Sequence, residues 1–383
     1  MPPASFLIKP ASGRCNLACR YCFYRDVAEH RETADYGRMD AETASLLADR
    51  VFELGADSYS IGFQGGEPTL AGLDFFESFV GLLRERNAAG VPVHLALQTN
   101  GTTLDAEWAR FLKREGFLVG VSIDGPRALH DAFRVRRDDT GSYDAAMAGV
   151  EALRAEGVPV NALCVVDAAV AGNAELVYRH LRRRGFDWIQ FIPCLDPFGE
   201  DGWRDWSLTP SAYAGFLKTA FDLWFADGAR GTPANVRWFD NLVGMAAGYP
   251  PENCGMAGRC SAYFTVEADG SAYPCDFYVT DEWRMGDIRT SGFREMADGP
   301  VARRFVALSE RPDPACADCF ALPLCRGGCR RDRTVGSGGV PGRNRYCDAY
   351  RDFFSYAGER IAAMGRAVLQ MGDGKNQSSC GGT

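Results

Sequence analysis

The sequence predicts an α/β protein in two parts: a partial, TIM-like (β/α)6 barrel with a bridging helix over residues 1–235, then a cysteine-rich domain over 236–370. Residues 371–383, rich in Gly, Ser and Asn, read as a flexible tail. Two observations carry this reading. Short apolar runs alternate with amphipathic segments in the first half, and the composition turns cysteine-rich from Cys254 onward.

Phe6-Leu7-Ile8, Tyr59 to Phe63, Val93 to Leu97, Leu118 to Ile123, Val160 to Val166 and Trp188 to Ile192 are rich in Val, Ile, Leu and Phe, the composition of buried parallel strands. Between them, Leu46, Leu47, Val51 and Leu54 recur at helical spacing, as do Phe75, Phe76, Phe79, Val80 and Leu83. Asp40, Asp105 and Ser142 stand where helix N-cap oxygens are wanted, each followed within two residues by an acid that suits the helix dipole. Repeated strand–helix units imply right-handed crossovers, and six strands stop two short of a closed eight-stranded barrel. Thr209-Pro210 then starts a helix that carries the apolar segment Tyr213 to Phe225. Tyr263 to Cys275 reads as a hairpin turning at Asp269-Gly270. Little helical periodicity follows until Tyr350 to Leu369, so this loop-rich stretch needs a cross-link other than a hydrophobic core.

The charge balance, 42 basic against 50 acidic residues for a net of −8, argues against nucleic acid. Arg134/Arg136/Arg137 and Arg182 to Arg184 are short clusters with acids nearby. No apolar stretch reaches the ~18 residues of a membrane span, and the first residues lack a signal-peptide pattern, so the expectation is a cytoplasmic protein without a membrane partner. Fourteen cysteines in such a chain stay reduced and read as metal ligands.

Cys15-x3-Cys19-x2-Cys22 follows the first strand, at the end where barrel active sites are built. A cubic iron–sulfur cluster normally takes four cysteines, so three leave one iron open to a small-molecule chelate. A zinc site completed by His30, His94, His130 or His180 is the alternative, but none of the four has a ligand-like spacing. Here the chain resembles the radical S-adenosylmethionine (SAM) enzymes, whose Cx3CxΦC motif has an aromatic Φ, in this sequence Tyr21. Further motifs fall at successive strand ends: Gly65-Gly66-Glu67-Pro68, Gln98-Thr99-Asn100-Gly101, Ser122-Ile123-Asp124-Gly125 and Ile192-Pro193-Cys194-Leu195. The resemblance implies that Tyr21, Gly66, Ser122, Arg134 and Leu195 contact SAM. It also implies that the motif of Glu67 binds the SAM amino group.

Eight more cysteines lie after residue 250 and before the tail, and spacing alone leaves their partition open. Cys316-x2-Cys319-x5-Cys325-x3-Cys329, with Cys347 beyond, resembles the SPASM domain of peptide-modifying radical SAM enzymes. That resemblance assigns Cys254, Cys260, Cys275 and Cys329 to one fully ligated auxiliary cluster and Cys316, Cys319, Cys325 and Cys347 to another, giving three 4Fe-4S clusters in all. Two structural zinc sites are the competing reading. Of the remaining cysteines, Cys164 and Cys194 read as packing residues and Cys380 as a tail thiol.

Within the SPASM enzymes the pattern most closely resembles the anaerobic sulfatase-maturating enzymes. The carrying residues are Cys15 to Tyr24, Gln64 to Leu70, Gln190 to Asp196 and Tyr273-Pro274-Cys275-Asp276. The resemblance implies oxidation of a cysteine or serine in a sulfatase peptide to Cα-formylglycine, begun by Cβ hydrogen abstraction with a 5′-deoxyadenosyl radical. Asp276 would take the thiol or hydroxyl proton, Tyr24 and Gln64 would face the peptide, and a reductant such as flavodoxin or ferredoxin would supply electrons. A maturase that forms a thioether or C–C crosslink in a ribosomal peptide shares every cluster. An iron–sulfur electron carrier would not need the SAM motifs.

Overall fold

The computed structural model describes residues 3–199, 204–310, 313–335 and 341–378, and the chain divides into two compact units. The first comprises Met1–Val165, Cys194–Arg204 and Ser261–Val306; the second comprises Val166–Pro193, Asp205–Cys260 and Ala307–Thr383. Cys380 lies outside the described residues.

The six expected strands are present as β1 (Ala4–Ile8), β2 (Tyr59–Phe63), β3 (Val93–Thr99), β4 (Leu118–Ser122), β5 (Val160–Val166) and β6 (Trp188–Pro193). Strands β1 to β5 pair in parallel, each with its neighbour in sequence. Their apolar composition has its expected cause, since Ile8, Ile61, Phe63, Leu97, Val119, Val121 and Val166 are fully buried. The helix Leu73–Arg86 lays Phe76 and Phe79 against Phe63, at ring distances of 4.8 and 5.8 Å. Each such side chain contributes about 1.5–3 kcal/mol of burial free energy.

Asp40 and Asp105 do cap their helices, accepting from the N–H of Thr43 at 2.7 Å and of Glu107 and Trp108 at 2.9 and 3.0 Å. Ser142 does not. Its hydroxyl donates to the carbonyl of Arg134 at 2.7 Å, because Oδ1 of Asp131 already accepts from the N–H groups of Ser142 and Tyr143. A side chain from outside the helix has taken the cap's task.

The hairpin forms as β8 (Phe264–Val266) and β9 (Ser271–Tyr273), after the two-residue β7 (Asn235–Val236) and before β10 (Gly286–Asp287). Gly270, at φ +88°, supplies the left-handed turn residue. In the first unit the strands follow the order β10-β9-β8-β1-β2-β3-β4-β5. Pairing of β8 with β1 is parallel, with Phe6 opposite Phe264 and Ile8 opposite Val266. The hairpin thereby extends the barrel sheet at its first strand, a pairing no local pattern announces.

In the second unit β6 pairs in parallel with β7. Thr209 caps the helix Pro210–Ala229, accepting from the N–H of Ala212 at 3.2 Å. That helix packs on the last one, Cys347–Ser378, with Phe221 5.6 Å from Phe353 and Tyr213 6.0 Å from Tyr350. The final helix starts at Cys347, before the expected Tyr350, and runs through Ser378. Two helices, Phe293–Asp298 and Pro300–Ser309, occupy a stretch whose sequence lacks clear periodicity. Both are short, and the second buries little beyond Ala302, Phe305 and Ser309. Among the described residues, no helix is long and apolar enough to cross a membrane.

Candidate active site

The loop after β1 carries Cys15, Cys19 and Cys22. Its backbone is pinned to the segment beyond the helix Arg127–Phe133: the N–H groups of Ala18 and Arg20 donate to the carbonyls of Val135 and Phe133 at 2.8 and 2.9 Å. Arg137 donates to the carbonyl of Cys15 at 3.0 Å. The sulfur of Cys15 accepts from the N–H of Leu17 at 3.4 Å and from Nδ2 of Asn100 at 3.7 Å. The three thiols are free of disulfides and close enough to repel one another as thiolates. Burial pushes the Cys15 thiol up to about 11 and the Cys19 thiol up to about 12. Cys15 and Cys19 resist ionisation alone, and the Cys15 sulfur already accepts N–H donors, which fits a cationic iron–sulfur group that supplies the missing positive charge.

The Gly65-Gly66 loop after β2 sits on the start of this cysteine loop. Gly66 N–H donates to the Ser12 carbonyl at 2.9 Å and Glu67 N–H to the Arg14 carbonyl at 2.7 Å. A Cβ on Gly66 would lie 2.1 Å from the Arg14 oxygen, so only glycine fits. Glu67 is fully buried. Its Oε1 accepts from Thr69 N–H and the Thr69 and Thr99 hydroxyls, and Oε2 accepts from Asn100 N–H. These donors turn the carboxylate into a clamp between the ends of β2 and β3.

At the ends of β4 and β5, Asp124 gathers three groups. Tyr21 donates its hydroxyl to Oδ2, Arg134 donates Nε to the same oxygen at 2.7 Å, and Val165 N–H donates to Oδ1 at 2.8 Å. The Arg134 guanidinium is buried, 5.4 Å from the Tyr21 ring, and held by Asp124. Ser122 ends β4 half-buried, and Leu195, also half-buried, lies in the Cys194–Arg204 part of the same unit. A tyrosine ring, a buried cation and a glycine cradle around the three thiols suit a zwitterionic adenosyl cofactor.

Asp276 is 4% exposed and follows Cys275 directly. Its Oδ2 accepts from the Tyr24 hydroxyl at 2.6 Å and from Nε2 of Gln64 at 3.3 Å, which unites three expected site residues. Its Oδ1, equally buried, has no hydrogen-bond partner among the described residues. Burial pushes the Asp276 carboxyl up, opposed chiefly by the positive charge of Lys9. Lys9 is itself buried, 2.8 Å from Oε1 of Glu267 and 4.8 Å from the centre of the Tyr24 ring. Arg31 reaches the same Glu267 oxygen at 2.7 Å.

In the second unit, Cys319 and Cys347 lie close enough to push the Cys316 and Cys325 thiols up, Cys316 adds to the effect on Cys325, and burial, the largest cause, brings Cys325 to about 11. Cys260 likewise senses Cys254, and a Cβ on Gly255 would lie 3.4 Å from the Cys329 Cβ. Cys275 belongs to the first unit. Cys164 and Cys194 are buried.

Sequence reasoning passed over Lys9, Arg31, Asn100, Asp124, Glu267 and Tyr263. Asn100 and Asp124 stood inside strand-end motifs and could have been found there. Lys9, one of four lysines and directly beyond the first strand, was a weaker signal. Glu267 and Arg31 offered none.

Residues 10–175 match the Radical SAM superfamily and residues 254–320 the SPASM iron–sulfur cluster-binding domain. A cysteine-type anaerobic sulfatase-maturating enzyme of Clostridium perfringens is 40% identical over 94% of this chain and 98% of its own length. A serine-type enzyme of Bacteroides thetaiotaomicron is 28% identical over 96% of this chain and 92% of its own. A solved structure of native anSMEcpe with bound AdoMet and Cp18Cys peptide superposes with a TM-score of 0.91 at 39% identity, covering 96% of this chain and 100% of that one. With the parallel sheet, the three-thiol loop and the cysteine-rich domain, these likenesses place the fold as a radical SAM partial barrel with a C-terminal SPASM domain, and the chain belongs to the family of cysteine-type anaerobic sulfatase-maturating enzymes.

Proposed function

We propose that this protein oxidises a cysteine of a sulfatase peptide to Cα-formylglycine, and that Asp276 is the base of the reaction. The observation that carries the proposal is the unpartnered, buried Oδ1 of Asp276, presented beside Cys275 while Tyr24 and Gln64 hold the other oxygen. Cysteine is preferred over serine because the cysteine-type relative shares 40% identity against 28% for the serine-type one.

When bound, SAM and the iron–sulfur clusters supply hydrogen-atom abstraction at Cβ and the acceptor for one electron. The protein's own part is proton handling and position. Oδ1 of Asp276 takes the thiol proton, so loss of a hydrogen atom, a proton and an electron turns CH2–SH into a thioaldehyde. Water then replaces sulfur, releasing hydrogen sulfide and leaving the aldehyde. Tyr24 and Gln64 fix the carboxylate's rotation, and the cation of Lys9 offsets the cost of keeping it ionised in a buried place. Tyr21, Gly66, Glu67, Ser122, Arg134 and Leu195 bind or frame SAM. Cys15, Cys19 and Cys22 would hold the cluster beside it, which would supply the reducing electron. The eight cysteines from Cys254 to Cys347 would hold two auxiliary clusters, and a flavodoxin or ferredoxin would supply the initiating electron.

Asp276→Asn separates the two halves of the reaction. It keeps the side chain's size and removes its basicity, and losing a proton-transfer partner costs about 10²- to 10⁴-fold in rate. With a cysteine-containing sulfatase peptide, 5′-deoxyadenosine formation should continue while formylglycine, read by mass spectrometry, nearly disappears. Equal loss of both would mean that Asp276 positions substrate, and wild-type levels of both would remove it from the site.

A further inference from the structure

Tyr263 precedes β8, and the reaction as proposed gives it no task. Its hydroxyl oxygen accepts from the backbone N–H of Asp276 at 3.0 Å. The hydroxyl's own hydrogen therefore remains to be donated, and the sulfur of Cys275 lies 3.6 Å away. A single oxygen thus serves two consecutive residues, the proposed base and its neighbouring cluster ligand. Cys275 caps and Asp276 opens the short 3-10 turn Asp276–Tyr278 beyond β9, where no strand ladder fixes their backbone. Tyr278 N–H donates to the Cys275 carbonyl at 3.0 Å, and the phenol adds a second constraint from across the hairpin.

We infer that Tyr263 is a positioning residue that joins proton removal to electron uptake, by donating its O–H to the Cys275 sulfur while anchoring the backbone of Asp276. A hydrogen bond to a ligating sulfur stabilises the extra electron density that reduction places there, and so raises the potential of the cluster. The bond accepted from Asp276 N–H polarises the phenol and strengthens its donation to sulfur. The inference rests on the proposed function in taking Cys275 as a ligand of the electron-accepting cluster.

The test uses reconstituted holoenzyme and reads the potentials first, without substrate. In Tyr263→Phe, which keeps the ring, a redox titration followed by electron paramagnetic resonance should show one of the clusters shifted to a more negative potential and the others unmoved. Replacing Tyr263 by 3,5-difluorotyrosine, a stronger O–H donor of nearly the same volume, should shift the same cluster the opposite way. With peptide, Tyr263→Phe should yield less formylglycine per 5′-deoxyadenosine, by about tenfold, the size of one lost hydrogen bond to a charged acceptor. Unchanged potentials in both variants would overturn the inference. If Tyr263→Phe sheds iron, the fluorinated variant decides alone. Failure of the wild-type enzyme to make formylglycine would sink the proposed function, while the paired potential shifts would still decide the role of Tyr263.

Discussion

At Gly66 the fit is set by atoms of another loop. A methyl group there would meet the Arg14 oxygen at 2.1 Å and the Gly13 carbonyl carbon at 2.6 Å, both backbone atoms that cannot swing away. Gly66→Ala should therefore part the glycine loop from the cysteine loop and weaken SAM binding by at least about tenfold, or 1.4 kcal/mol, measured by calorimetry. The iron held by Cys15, Cys19 and Cys22 should stay. Unchanged affinity would mean that this loop does not border the cofactor. The cysteines and this glycine were legible in the sequence because cluster and cofactor chemistry demand particular residue types at particular spacings. Lys9 and Tyr263 were not, since a lysine or a tyrosine acquires its role only from neighbours that the fold delivers.

The helix Arg127–Phe133 carries a titration of its own. His130 is buried, its Nδ1 accepting from Asp124 N–H at 3.3 Å and its Nε2 lying 3.0 Å from the Ser142 hydroxyl, which passes its hydrogen to the Arg134 carbonyl. Those partners suit the neutral ring, and burial pushes His130 from 6.5 down to about 4. Between those values the unfolded chain takes up a proton that the folded chain refuses. Stability therefore falls as pH drops from 6.5 toward 4, by about 3 kcal/mol over the full window. His130→Gln removes this component, so the variant's thermal midpoint should change less between pH 7 and pH 5 than the wild type's. An equal change in both would overturn the assignment. Strands were the most legible elements, because burial on both faces leaves a continuous apolar run. The cap at Ser142 was misread because Asp131 satisfies the helix start from outside. Pro300–Ser309 stayed hidden because so short an apolar face leaves no periodicity to detect.

Over the whole molecule, the three proposed clusters of four irons predict about 12 Fe per chain after anaerobic reconstitution. Replacing Cys15, Cys19 and Cys22 by Ala should remove about four of them, abolish SAM cleavage and spare the rest. Loss of all iron would show that the sites depend on one another. The barrel's order was readable because each parallel strand follows its partner in sequence. The acceptor side of the site was not, because β8 pairs with β1 across most of the chain, bringing Glu267 to Lys9 and Asp276 to Tyr24. That seam also imposes an order on biosynthesis. On the ribosome, β1 emerges early and must wait with one edge bare until Phe264–Val266 has been made, and an unpaired edge invites association with other chains. A nascent chain released before Phe264 would hold Cys15, Cys19 and Cys22 without Asp276, the proposed base. Translation thus completes the half proposed to take the proton and electron only after the half proposed to make the radical, and the bare edge of β1 is covered by the same event.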